Sequence, residues 1–145
     1  MSVKSIHMKH TTLLLALATM FAVQSQAQCR KFTKKNCLPA LDGYVQNDNY
    51  NSAVLIPGDE AELELTFLGD TEYRVAVCAH PVLNDVEFNV LNQENILLWR
   101  NSDGSDHLDF RMENAQRLRF RVKVPETDAA ILHEGCVSIL VGSKD

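Results

Sequence analysis

Alternation of apolar and polar positions dominates the chain after residue 52. Ala61 to Phe67 reads AELELTF, with Leu63, Leu65 and Phe67 on one face and Glu62, Glu64 and Thr66 on the other. Arg117 to Val124 reads RLRFRVKV, with Leu118, Phe120, Val122 and Val124 opposite Arg117, Arg119, Arg121 and Lys123. A period of two with this contrast predicts strands with one wet face. Tyr73 to Ala79 (YRVAVCA) is nearly all apolar and suits a central strand covered on both sides. Shorter strands are predicted at Ala53 to Ile56, Val86 to Leu91, Ile96 to Trp99, Leu108 to Met112 and Cys136 to Val141. Turn residues separate them, among them Pro57-Gly58-Asp59, Gly69-Asp70, His80-Pro81 and Pro125 to Asp128. About eight strands at this spacing predict an all-β fold, an antiparallel β-sandwich. Jelly-roll and immunoglobulin-like topologies both remain open.

No long helical pattern competes with the strands. Thr127 to His133 (TDAAILH) is expected to form one or two helical turns before Gly135. Residues 28–52 are polar and rich in Asn and Lys, and read as an N-terminal arm or an irregular first strand. Residues 53–145 read as the sandwich domain.

The start of the chain has the three parts of an export signal. Lys4 and Lys9 supply positive charge, Thr11 to Val23 is an apolar stretch too short to span a bilayer comfortably, and Ser25-Gln26-Ala27 offers small residues for cleavage. Residues 1–27 are therefore expected to be removed, leaving a chain that starts at Gln28. Gln28 is neither small nor apolar, which argues against lipidation of Cys29. No later segment is apolar enough to cross a membrane, so a periplasmic or extracellular location is expected.

Removing residues 1–27 takes away two of the fourteen basic residues and none of the nineteen acidic ones, for a net charge of −7. That balance argues against general nucleic-acid binding, which needs cationic surface. The charge is uneven. Arg30, Lys31, Lys34 and Lys35 cluster in CRKFTKKNC, and without those four the remainder stands at −11. The cluster reads as a docking patch for an anionic surface or acidic partner, or as a solvated loop that offsets an acidic body.

Four cysteines in an exported chain predict two disulfides among Cys29, Cys37, Cys78 and Cys136, with three possible connectivities. The simplest pairing is Cys29–Cys37, closing a short polar loop, with Cys78–Cys136 joining two strands. The two closures would contribute roughly 2.5 and 4 kcal/mol in the chain-entropy picture. Zinc fits poorly, because its ligands usually come as close pairs and these cysteines do not.

Catalytic constellations are not apparent. There is no G-x-S-x-G, and His133-Glu134 lacks the second histidine of a zincin helix. Glu62 and Glu64 lie on a solvent face, where pairing with the cations of residues 117–123 across strands explains them better than acid–base chemistry. Asn101, Asp103 and Asp106 lie in a Gly-containing loop and are the best calcium candidates. However, Gly104 comes too early for an EF-hand, and Met112 takes the place of its bidentate glutamate. Trp99, the single tryptophan, follows Ile96, Leu97 and Leu98 and is expected to pack in the core.

Several segments carry a resemblance: YNSAVLIPGDEAELELTFLGDTEYRVAVC at 50–78, VEFNVL at 86–91, LRFRVKVP at 118–125 and GCVSILVG at 135–142. On these the chain resembles small exported proteins of Bacteroidota-type bacteria. The strand pattern is also similar to the compact sandwiches of pre-peptidase C-terminal and GOLD-like domains. These resemblances imply a β-sandwich that serves as an accessory or binding module, and they imply no catalytic residues.

The reading that follows is an exported, disulfide-reinforced sandwich with no catalytic activity and no cofactor. Its expected role is to bind another envelope protein or a glycan. A small hydrolase that assembles distant carboxylates (Glu62, Glu64, Asp103, Asp106) and a calcium-stabilised structural domain are the alternatives.

Overall fold

A computed structural model of the protein describes residues 28–47, 50–101 and 104–144. The expected export signal, residues 1–27, lies outside them. Nine strands are described: β1 (Val45–Gln46), β2 (Asn51–Leu55), β3 (Glu60–Phe67), β4 (Thr71–Ala79), β5 (Glu87–Leu91), β6 (Leu97–Arg100), β7 (His107–Met112), β8 (Gln116–Lys123) and β9 (Gly135–Lys144). All eight strands expected from the periodicity are present, and β1 adds two residues at the edge.

The strands form two antiparallel sheets packed as a sandwich. Sheet A runs β1–β9–β4–β7, and β2 pairs with β9 on the same side as β1. Sheet B runs β3–β8–β5–β6. Only β5 and β6 are consecutive in sequence and paired in one sheet, so the other connections from β2 onward cross between the sheets.

The core lies between the sheets. Tyr73, Val75 and Val77 of β4 and Val137, Ile139 and Val141 of β9 face Phe88 and Val90 of β5 and Leu118, Phe120 and Val122 of β8. Phe67 is an aromatic hub, edge-on to Tyr73 at 4.9 Å, Phe110 at 5.2 Å and Phe120 at 5.7 Å between centroids. Trp99 is half-buried on β6 and packs edge-on against Phe88 at the rim of the core. Burying side chains of this size contributes about 1.5–3 kcal/mol each.

Residues 28–41 differ from the expected arm or strand. They form a helix: an α-helical start at 28–32, a wide turn over Thr33–Cys37 closed by the Leu38 N–H on the Thr33 carbonyl, and a tight turn over Leu38–Leu41. Cys29, Thr33, Cys37 and Leu41 recur every four residues and are all buried. That stripe lies on the outer face of sheet A, against Leu140 and Cys78. Chain entry is close at Gly142, where an added Cβ would stand 2.7 Å from Tyr44 Cβ. Conversely, Thr127 to His133 is irregular and exposed rather than helical. Seven residues without a packed face cannot offset the cost of helix nucleation.

The helix also decides the disulfides, and the expected pairing is corrected. Cys29 bonds Cys136 and Cys37 bonds Cys78, with Cα–Cα distances of 5.3 and 5.6 Å. Eight residues of helix separate Cys29 from Cys37 by about 12 Å, beyond the reach of one bridge. Cys78 and Cys136 are on neighbouring strands, but Cys78 stands opposite Ser138, and both cysteines bond to the helix instead. The sequence separations are 107 and 41. Closing loops this long contributes about 4–5 kcal/mol each in the chain-entropy picture, more than the expected pairing would.

Between the two bridges, Thr33 anchors the helix by hydroxyls. Its Oγ1 donates to the Cys29 carbonyl at 2.7 Å and lies 2.5 Å from Ser138 Oγ and 3.2 Å from Ser52 Oγ. Ser52 and Ser138 are 2.8 Å apart. Thr33 and Ser138 are fully buried, so unmet hydroxyls there carry a desolvation cost.

Two outcomes test this account. Non-reducing peptide mapping of the purified protein should recover Cys29–Cys136 and Cys37–Cys78 peptides and no Cys29–Cys37 loop. Thr33→Val should lower the urea midpoint by the equivalent of about 1–2 kcal/mol with an unchanged slope, since the two serines keep each other but lose Thr33.

Candidate interaction site: a cationic helix face

With the Cys29–Thr33–Cys37 stripe turned inward, the intervening positions turn outward. Arg30, Lys31, Lys34 and Lys35 are all exposed and together line one shallow depression. The four cations predicted from sequence are thus brought together, on a helix face rather than in a loop. Two of them have an aromatic support. The Arg30 guanidinium stands 5.4 Å and the Lys34 ammonium 5.9 Å from the Tyr50 ring centroid. Such contacts contribute about 0.5–1 kcal/mol at exposed sites and limit side-chain freedom.

The far end of the helix is held by Arg74, whose role the sequence did not suggest. Arg74 donates to the Ala40 carbonyl at 3.2 Å and stands 4.8 Å from the Tyr44 ring centroid. It also makes two 2.7 Å hydrogen bonds to Asp109 on the neighbouring strand β7. The hydrogen bonds from Arg74 hold the Asp109 carboxyl below its ordinary value; desolvation opposes this, and the charges of Arg74, His107 and Lys144 reinforce it.

The other candidates have structural roles. Glu62 and Glu64 stand opposite Arg121 and Arg119, as the alternation suggested. Arg121 reaches Glu62 at 2.8 Å and Glu60 at 3.2 Å, and Arg117 reaches Glu64 at 3.1 Å. These carboxylates are exposed and ion-paired on the outer face of sheet B. Asn101 ties the β6–β7 connection to β5: its Oδ1 accepts from the Phe88 N–H at 2.8 Å and its Nδ2 donates to the Val86 carbonyl at 3.0 Å. Asp106 lies 2.9 Å from His107. Asp103 is outside the described residues. Among the described residues no three His, Cys, Asp or Glu side chains come together to hold a metal. His80 caps the short turn at Pro81–Leu83 by accepting from the Val82 N–H.

The sandwich has an opening at each side edge. An apolar groove of about 350 Å³ lies between β2 and β3, lined by Ala53, Leu55, Ala61 and Leu63. A cleft of about 710 Å³ with mixed polar and apolar walls lies beside the β6–β7 connection, with Asp85, Glu87, Arg100 and Asp106 on one part and Val77, Val86 and Pro125 on another. A third exposed element is the β8–β9 connection, with Ile131 and Leu132 uncovered. It ends at Gly135, next to the Cys136 that is bonded to the start of the helix.

No protein-family model matches the chain. No curated protein is similar to it in sequence. Among solved structures, the fold is similar to PliG from Aeromonas hydrophila, a periplasmic lysozyme inhibitor of g-type lysozyme. The TM-score is 0.51 at 14% identity, over 70% of this chain and 89% of that one. The likeness is one of fold. The two disulfides are those of an exported protein. No helix among the described residues is long and apolar enough to cross a membrane.

The Arg74–Asp109 pair gives this region a pH dependence with a definite sign. A depressed folded-state carboxylate contributes stability that is complete above its unfolded value, about 4, and is lost as pH falls through the folded value. Asp109→Asn should therefore melt below the wild type at neutral pH. The gap should close as the pH is lowered towards about 2, read by thermal denaturation across a pH series.

Proposed function

We propose that this protein is an exported, non-catalytic binding module whose cationic helix face docks on an acidic surface of an envelope-associated enzyme. The partner class that fits best is a glycan-cleaving hydrolase of the lysozyme type. One observation carries the reading: four exposed cations on a helix fixed to its sheet by two disulfides, in a body otherwise acidic. The fold likeness to a protein described as a lysozyme inhibitor supports the choice of partner.

The chemistry is complementary. Glycoside hydrolases place two carboxyl groups around the scissile bond, so their clefts concentrate negative potential. A cationic face steers towards such a cleft and speeds association. Because the helix is already fixed, little conformational entropy is lost on docking. The exposed Ile131 and Leu132, on the connection that leads into Cys136, offer apolar contact that the charges lack.

The test is binding of the mature protein to purified g-type lysozyme, with cell-wall lysis measured in parallel. The expected result is binding that weakens with salt and slows lysis. Lys31→Glu with Lys35→Glu should reduce the association rate about tenfold or more. The pair spares Arg30 and Lys34 on Tyr50, so the melting temperature should be unchanged. Absence of binding to lysozymes of any type, or equal binding by the double variant, would remove the proposal. Retention on an anionic glycan instead would reassign the face to a polymer ligand.

A further inference from the structure

The sandwich is open where β2 borders sheet A and β3 borders sheet B, because these two strands follow one another in sequence without pairing. The apolar groove between them reaches the core. Ala53 and Leu55 form one wall, Ala61 and Leu63 the other, and Val122 and Ile139 lie on its floor. The alanines on the two walls leave the space, since a longer side chain at either position would fill it.

The two ends of the groove differ in charge. At one end the turn of residues 56–59 crosses from sheet to sheet. Its charged neighbours are Asp59, Glu60 and, beside Gly58, Glu126, with Lys123 opposite Glu60. At the other end stands Tyr50, which lines the groove and also carries Arg30 at 5.4 Å and Lys34 at 5.9 Å from its ring centroid. Glu62, the acid of the lining, is occupied: Arg121 reaches it at 2.8 Å and Arg119 at 3.6 Å.

We propose that this groove is a binding site for a straight-chain fatty acid. The alkyl chain lies between β2 and β3, and the carboxylate leaves at Tyr50, beside Arg30 and Lys34.

The dimensions set the chain. The wall formed by the five residues of β2 is about 13 Å long. An extended carbon chain advances about 1.2 Å per bond, as a polypeptide backbone does, so about ten carbons fill that length. The volume of about 350 Å³ falls at the small end of the range for small-molecule sites. The lining and the charges set the chemistry. Walls of alanine and leucine would leave the polar groups of a sugar or a peptide backbone unpaired. A head group leaves lengthwise at Tyr50, since the turn stands across the other end, and the cations at Tyr50 favour a negative one. The site goes beyond the enzyme-docking reading and uses neither Lys31 nor Lys35, so either proposal can fail without the other.

The experiment is isothermal titration calorimetry of the mature protein with octanoate and decanoate, and with decyltrimethylammonium as the probe of opposite charge. The expected result is one site per protein, with affinity rising about three- to fourfold per added methylene from octanoate to decanoate. Decyltrimethylammonium should bind at least about tenfold more weakly than decanoate. Ala61→Leu should weaken decanoate binding about tenfold or more by filling the groove. Ala53→Leu fills it from the opposite wall and serves as the second variant should Ala61→Leu fold poorly. Arg30→Gln with Lys34→Gln should bring the two ten-carbon probes to similar affinities while keeping the rise with chain length. Decanoate that does not saturate a single site, equal binding of the two charges by the wild type, or an affinity unchanged in both leucine variants would overturn the proposal.

Discussion

Strand β9 is covered on both faces, and the rest of the molecule follows from that requirement. It is bonded to β4 along one edge and to β1 and β2 along the other. Val137, Ile139 and Val141 face the core between the sheets, while Ser138, Leu140 and Gly142 lie on the opposite face. That outer face is dry: Leu140 and Ser138 are fully buried, as is Ala76 on β4. A sandwich with sheet A bare would leave this surface in water. The helix of residues 28–41 is the third layer that closes it, tied down by a bridge to each of the two central strands and by hydroxyls between them.

How much of this was legible in the sequence depended on how each face is made. The strands were readable because Leu63, Leu65, Phe67 and their partners on β8 contrast sharply with charged neighbours. The same contrast suggested that the acidic face of β3 and the basic face of β8 would pair, and the register then sets Glu62 opposite Arg121 and Glu64 opposite Arg119. The double burial of β4 was visible in its nearly unbroken apolar run, interrupted only at Arg74. The helix was not, because its buried stripe consists of two cysteines, a threonine and one leucine. Cysteines in an exported chain read first as disulfide partners rather than as a helix face, so the spacing of four went unused. The disulfide pairing then depended on the helix and could not be read without it. The four cations were identified from their clustering alone. Tyr50 and Arg74, which order and anchor them, gave no signal, since each acts only through contacts distant in sequence.

The two outer faces of the molecule treat charge in opposite ways. On sheet B, carboxylates and guanidinium groups alternate across β3 and β8 and satisfy one another. Exposed pairs of this kind contribute little to stability, typically 0–1 kcal/mol. Their larger effect is to leave that face with balanced charge. Over the helix no such balance exists: residues 28–41 contain no acid at all. Among the described residues the helix gathers four cations with no acid on one exposed face, so a partner that responds to negative charge on its own surface meets them there.

The nesting of the two disulfides has a consequence for how the protein is made. The Cys29–Cys136 bridge encloses the Cys37–Cys78 bridge, so the first cysteine of the chain is partnered by the last. Until Cys136 is in place Cys29 has only wrong partners, and Cys37 is the nearest of them in sequence. Oxidation that joins cysteines in order of arrival traps a loop the finished fold does not contain. Two things guard against it. Helix formation at 28–41 moves Cys29 and Cys37 beyond bonding distance, and thiol–disulfide exchange reverses the error where the helix is late. Reaching the native pairing therefore depends on the helix forming before Cys29 is oxidised, or on exchange that undoes a wrong bridge.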